Sequence, residues 1–258
     1  MKKFALWMIL SASLFSTIHA QDWAKPRLEK SPRHNEWVKV KQGDREVSCY
    51  IVFPEVKNKA LAVVVIHEIF GLTDWVRGVT DQLAEAGYIA IAPDMLSGKT
   101  FTGADEGRKA ISDLPPEQVL ADLTAVTDYV KGLPACNGKV AVAGFCWGGT
   151  RTFAFANHYP KLVAAFPFYG SGPENAAAAE KISCPLYGFF AEKDARINES
   201  LPKAEELLKA AGKPYEFKIY AGAGHGFMRA GEDPAGSAEN KKARDDAWER
   251  WKALLAKL

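Results

Sequence analysis

The chain has 258 residues, 48% hydrophobic and 25% charged, enough for one large α/β domain with a substantial core. That balance excludes a disordered, collagenous or coiled-coil chain, and no internal repeat is present. The formal charge is only +2, and no basic run points to nucleic acid or an anionic membrane.

Met1-Lys2-Lys3 opens with charge, Phe4 to Phe15 is apolar, and Ile18-His19-Ala20 ends on a small residue. This reads as a secretory signal peptide cleaved after Ala20. An uncleaved anchor is the alternative, but the run is short for a span of about 20 residues. No cysteine stands at the cleavage point, as a lipoprotein would require. Cleavage removes two of the 33 basic residues and balances the 31 acidic ones. The expected product is one domain over residues 21–258, periplasmic or secreted, and monomeric.

Residues 21–35 carry Pro26 and Pro32 and read as an irregular lead-in. Trp37 to Lys41 and Val47 to Phe53 read as strands around a Gly43-Asp44 turn. Leu61 to Ile66 is a continuous apolar run, as a buried parallel strand requires. Asp74 is placed to cap a helix ending near Gly87, and Tyr88 to Ala92 is the next strand. Residues 96–115 are polar and glycine-rich, with weak helical character. Pro116 starts a helix with Val119, Leu123, Val126 and Val130 at helical spacing.

Lys139 to Gly144 is a strand, Trp147 to Asn157 a helix, and Leu162 to Tyr169 and Pro185 to Phe190 are strands. Leu201 to Ala211 is a helix, Tyr215 to Tyr220 the last strand, and a long helix starts near Ser237. Strands alternating with helices from residue 61 onward mean a mostly parallel sheet with helices on both faces. In such sheets the chemistry gathers beyond the carboxyl ends of the strands.

Gly144-Phe145-Cys146-Trp147-Gly148-Gly149 follows a strand and opens a helix. This is the nucleophile-elbow pattern with cysteine in the nucleophile position. A Cβ at Gly144 or Gly148 would crowd the turn. Backbone N–H groups at the helix start stabilise negative charge on Cys146. A small core cysteine is the plainer reading, and the strand, both glycines and the helix argue against it together.

The α/β-hydrolase arrangement runs nucleophile, acid, base. Asp194 stands just past the strand ending at Phe190, and His225 lies in the glycine-rich loop after Tyr220. His225 is the candidate base and Asp194 its orienting acid, with Glu192 the closest competitor. His34, His67 and His158 are the other histidines beyond residue 20. His67 ends a strand at the correct face and is a candidate wall residue. The oxyanion donors expected are the N–H groups of Trp147 and Ile69.

Four cysteines, Cys49, Cys136, Cys146 and Cys184, would meet an oxidising compartment. Cys49 reads as buried, and Cys136 and Cys184 are placed so that a disulfide between them is open. No Cys-x-x-Cys pair exists, and neither metal nor cofactor is expected.

Gly144-Phe-Cys-Trp-Gly-Gly149, His67-Glu-Ile-Phe-Gly71 and Gly224-His-Gly-Phe227, in this order, resemble the dienelactone hydrolase family, from about Val47 to the C-terminus. The resemblance implies the α/β-hydrolase fold and a Cys146–Asp194–His225 triad. It also implies that Glu68 pairs with the resting thiol and helps deprotonate it when substrate binds. Arg229 matches a family arginine that holds a substrate carboxylate, and Phe70 is a further candidate contact.

One departure concerns a second family arginine after the Pro-Asp that closes a strand. Here Pro93 to Lys99 holds none, and Lys99 is the candidate replacement, a point charge without the guanidinium fork. The expected function is hydrolysis of a small ester or lactone through a cysteine thioester. A thioesterase or general carboxylesterase, or a non-catalytic exported binding protein on the same fold, are the alternatives.

Overall fold

The structure is a computed structural model that describes residues 21–258. The expected signal segment lies outside the described residues. A 3-10 turn, Asp22–Ala24, leads into α1 (Lys25–Lys30), so the lead-in expected to be irregular is partly helical. Proline sits in the first turn of α1, where its missing N–H costs nothing. Behind it, Arg33 grips the buried Asp81 with Nε at 2.8 Å and Nη2 at 2.6 Å.

Then come β1 (Asn35–Gln42), β2 (Arg45–Val52), β3 (Ala60–Ile66), α2 (Asp74–Glu85), β4 (Ile89–Pro93), α3 (Ala104–Ser112), α4 (Pro116–Gly132), β5 (Cys136–Phe145) and α5 (Trp147–His158). The remainder is β6 (Ala164–Phe168), α6 (Ala176–Glu180), β7 (Leu186–Ala191), α7 (Ala195–Asn198), α8 (Leu201–Ala210), β8 (Tyr215–Tyr220), α9 (Phe227–Glu232) and α10 (Ala238–Leu255). Asp74 is not the cap of α2. Thr73 holds that position, and the Asp74 carboxylate pairs with Arg77 one turn on.

The eight strands form one sheet in the order β1-β2-β4-β3-β5-β6-β7-β8. β1 and β2 pair antiparallel, β2 meets β4 antiparallel, and every later pairing is parallel. This is the α/β-hydrolase fold.

The central strands face two cores, which explains why they read as unbroken apolar runs. On β3, Val63 and Val65 point to one side, where Trp75, Val79 and Leu83 of α2 and Trp251 of α10 pack. Ala62, Val64 and Ile66 point to the other, against Leu123, Val126 and Val130 of α4 and Phe155 of α5. Beneath the end of β5, Phe145 lies 4.7 Å from Phe168 and 5.0 Å from Trp75, centroid to centroid. This aromatic layer supports the turn that follows.

Cys49, Cys136, Cys146 and Cys184 are all free. Cys136 opens β5 and Cys184 precedes β7, with β6 between them. Two strand spacings are roughly 10 Å, beyond the reach of about 7 Å that a disulfide allows. Burial pushes the Cys49 and Cys184 thiols up to about 12, so neither is a ready nucleophile.

Candidate active site

Cys146 stands between β5 and α5 with φ 56° and ψ −114°. A non-glycine residue at such a φ carries strain of about 1–3 kcal/mol, so the surroundings must impose it. They do so by close approach. A Cβ on Gly144 would lie 2.2 Å from the Gly148 carbonyl oxygen, and one on Gly148 would lie 2.3 Å from that of Ile66. The Cys146 N–H donates to the Phe168 carbonyl at 3.1 Å, tying the turn to β6. The thiol is left half-buried, facing the cavity beyond the strand ends.

Asp194 and His225 reach the same place from loops that brace each other. The Lys193 N–H donates to Ala223 O at 2.9 Å, and the Gly222 N–H donates to Glu192 Oε2 at 2.8 Å. Glu192, the competing acid, is thus spent as a brace. Asn198 donates to the carbonyls of Ala191 and Glu192 at 2.9 and 3.1 Å. Asp194 occupies the N-cap position of α7, yet its side chain caps nothing. The buried carboxylate meets His225 Nδ1 at 2.5 Å instead. Burial works to lower the His225 pKa. The hydrogen bond to Asp194 and the nearby Cys146 thiol overcome it and push the imidazole up to about 9.

Glu68 differs from expectation. Its carboxylate is buried and pairs with Arg229 Nε at 2.8 Å, while Tyr169 Oη donates to Oε1 at 3.4 Å. It is engaged with these two groups, not with the thiol. Burial pushes the Tyr169 hydroxyl well above its ordinary value, so it stays a neutral donor. The Arg229 guanidinium also lies 5.0 Å over the Phe70 ring.

The cavity measures about 690 Å³. Cys146, His225 and Asp194 line it with the oxyanion candidates Ile69 and Trp147, and with Glu68, Phe70 and Arg229. Neither the Ile69 nor the Trp147 N–H has a backbone acceptor among the described residues.

Lys99 is not there. It is exposed and lines a separate depression with Met95 and Phe101. Its contribution is its backbone, because its carbonyl oxygen would lie 2.4 Å from a Cβ on Gly71. His67 is wholly buried and does not line the cavity. His34 and His158 are exposed away from it.

The site holds residues that were not anticipated. Arg108 of α3 and Arg196 of α7 line the cavity, and Tyr169 holds Glu68. Arg196, two residues past Asp194, and Tyr169, directly after β6, could have been found from position alone. Arg108 could not, because it depends on how α3 docks. A Cβ on Gly107 would lie 2.6 Å from the Ile69 carbonyl oxygen, so α3 seats tightly over that loop.

The dienelactone hydrolase family model matches residues 47–258. A Saccharolobus solfataricus protein provisionally named carboxymethylenebutenolidase is 29% identical over 252 residues, spanning 83% of this chain and 95% of its own. An Escherichia coli protein of the same provisional name is 32% identical over 233 residues, 81% of each chain. A solved structure from Klebsiella pneumoniae, provisionally named dienelactone hydrolase, superposes with a TM-score of 0.79 at 27% identity, over 88% of this chain and 99% of that one. A dienelactone hydrolase from Anabaena variabilis gives 0.64 at 17% identity over 82% and 94%, a likeness of fold alone. The protein is a hydrolase of the α/β-hydrolase fold. Within that class the chain belongs to the dienelactone hydrolase family.

Proposed function

We propose that this protein hydrolyses a small anionic ester or enol lactone through a thioester on Cys146. The observation that carries the reading is His225, held by Asp194 at 2.5 Å and lining one cavity with Cys146, Ile69 and Trp147. The Cys146 sulfur attacks the substrate carbonyl carbon, and His225 takes the thiol proton. The carbonyl π pair moves to oxygen, where the Ile69 and Trp147 N–H groups receive the negative charge. On collapse the C–O bond breaks, and His225 returns the proton to the leaving oxygen. Water then gives a proton to His225 and attacks the thioester carbon. The C–S bond breaks, the acid departs, and the thiol recovers its proton. Asp194 holds the imidazole tautomer throughout.

The preference for anionic substrates rests on Arg229, Arg108 and Arg196 around one cavity. Arg229 already faces Glu68, so a substrate carboxylate arriving there competes with Glu68 for the guanidinium. That competition couples Glu68 to substrate binding. The relatives' names point toward an enol lactone. A panel of aryl acetates, enol lactones and alkyl esters, with Cys146→Ala as control, tests the reading. Turnover of the activated substrates that Cys146→Ala abolishes is expected, and unchanged turnover in that variant contradicts it.

We also propose that residues 1–20 direct export. The support is the sequence pattern alone, and N-terminal sequencing of exported protein should begin near Gln21. A retained Met1 segment in the membrane fraction contradicts this.

A further inference from the structure

His67 directly precedes Glu68 and Ile69 of the cavity wall, does not itself line the cavity, and is buried at 0% exposure. Its Nδ1 lies 2.6 Å from the Glu68 carbonyl oxygen, and its Nε2 lies 3.2 Å from the Met95 N–H. A carbonyl accepts only, so Nδ1 carries the hydrogen and donates. A backbone N–H donates only, so Nε2 is bare and accepts. The ring is thus a neutral imidazole with both nitrogens satisfied. Burial supports that state by lowering the pKa.

The Glu68 carbonyl belongs to the same peptide unit as the Ile69 N–H. A trans peptide is planar, with its C=O and N–H pointing opposite ways. His67 draws the carbonyl to itself, and the Gly71 N–H adds a second bond to it at 3.2 Å. The Ile69 N–H is thereby turned the other way. The ring also stacks on Trp147, 5.5 Å between centroids at 26°, and Trp147 carries the other proposed donor. On the backbone side, a Cβ on Gly148 would lie 2.6 Å from the His67 carbonyl oxygen.

We infer that His67 is a positioning residue: its Nδ1–H sets the plane of the 68–69 peptide and so aims the Ile69 N–H at the oxyanion. The inference rests on the thioester reading and adds to it the group that organises the hole. Without the Nδ1–H, only the Gly71 N–H would hold that carbonyl, and the peptide could rotate so that the carbonyl faces the developing charge.

The test compares two reactions of the same thiol in the intact protein. Hydrolysis of an aryl acetate builds an oxyanion. Alkylation by iodoacetamide does not: sulfur bonds to a tetrahedral carbon, iodide leaves with the electron pair, and the thiol proton goes to base. His67→Phe keeps a ring against Trp147 and removes the donor. It should lower kcat for aryl acetate about 100-fold, as loss of an oxyanion donor does, with KM and the alkylation rate within about threefold of wild type. His67→Asn carries its amide nitrogen near the place of Nδ1 and should recover hydrolysis to within about tenfold of wild type.

Unchanged hydrolysis in His67→Phe, or alkylation falling as far as hydrolysis, overturns the inference. If His67→Phe does not fold, His67→Asn against His67→Gln decides, since glutamine carries its amide one bond further out, and equal losses overturn it. A wild-type protein whose hydrolysis survives complete alkylation of Cys146 overturns the thioester reading itself, without any His67 variant.

Discussion

Arg229 Nε lies 2.8 Å from Glu68 Oε2, across 161 residues of sequence, and the glutamate side chain is only 3% exposed. A carboxylate buried to that degree needs a cation or a proton. Arg229 supplies the cation, so the pair organises the cavity wall before any substrate arrives.

Arg229→Ala should therefore act twice. Leaving Glu68 buried without its partner should lower stability by about 3 kcal/mol, read as a lower denaturation midpoint. In assays below that midpoint, KM for an anionic ester should rise more than KM for a neutral one. Equal effects on the two esters would mean that Arg229 does not touch the substrate's charge.

The His225 pKa, raised from the ordinary 6.5 to about 9, sets a second expectation. Burial alone would lower it, and the Asp194 hydrogen bond with the nearby Cys146 thiol reverses the sign. A group whose folded pKa is raised contributes stability in full below its unfolded value. That contribution should be present below pH 6.5 and lost as pH rises through about 9. Unfolding midpoints of wild type and His225→Gln, compared across this window, should converge toward the alkaline end. A constant difference would contradict the raised pKa.

Gly148→Ala tests whether close packing imposes the elbow. The added Cβ would meet the carbonyl oxygens of Ile66 and His67 at 2.3 and 2.6 Å. Both are backbone atoms of β3 and the loop after it, so neither can swing aside. A loss of about 3 kcal/mol or more is expected, with hydrolysis falling further than the folded fraction does. A fully stable, fully active variant would mean that the turn is not held by this contact.

Much of this architecture was readable in advance. β3, β5 and β6 are buried on both faces, so their apolar runs stand out, and β8 was placed to the residue. The elbow was legible because Gly144 and Gly148 answer a local steric demand. What escaped was tertiary. Helices α6, α7 and α9 have four to six residues, too short for a periodic signal. Lys99 lies near the expected position in sequence, but the turn built on Asp94, which accepts the Leu96 and Gly98 N–H groups, carries it outward. Arg108 joins the cavity only because Gly107 lets α3 approach Ile69. The partner of Glu68 was likewise a matter of packing that spacing does not encode.

Leaving-group dependence follows from sulfur as the proposed nucleophile. In the tetrahedral intermediate either the thiolate or the substrate oxygen departs. A thiol of pKa about 8.5 leaves far more readily than an alkoxide. Simple alkyl esters should therefore revert, and aryl or enol esters should go forward. Values of kcat/KM for matched aryl and ethyl esters should fall steeply as leaving-group pKa rises. A flat dependence would show that this partition does not govern acylation.

The most direct measurement is of the covalent intermediate. Protein mixed rapidly with an aryl ester, quenched in acid and analysed as intact chain and as peptides should carry one acyl group, on the peptide that contains Cys146. The adduct should disappear as turnover ends and be absent from Cys146→Ala. Steady hydrolysis with no adduct at any time, or an acyl group on another side chain, would contradict the thioester mechanism.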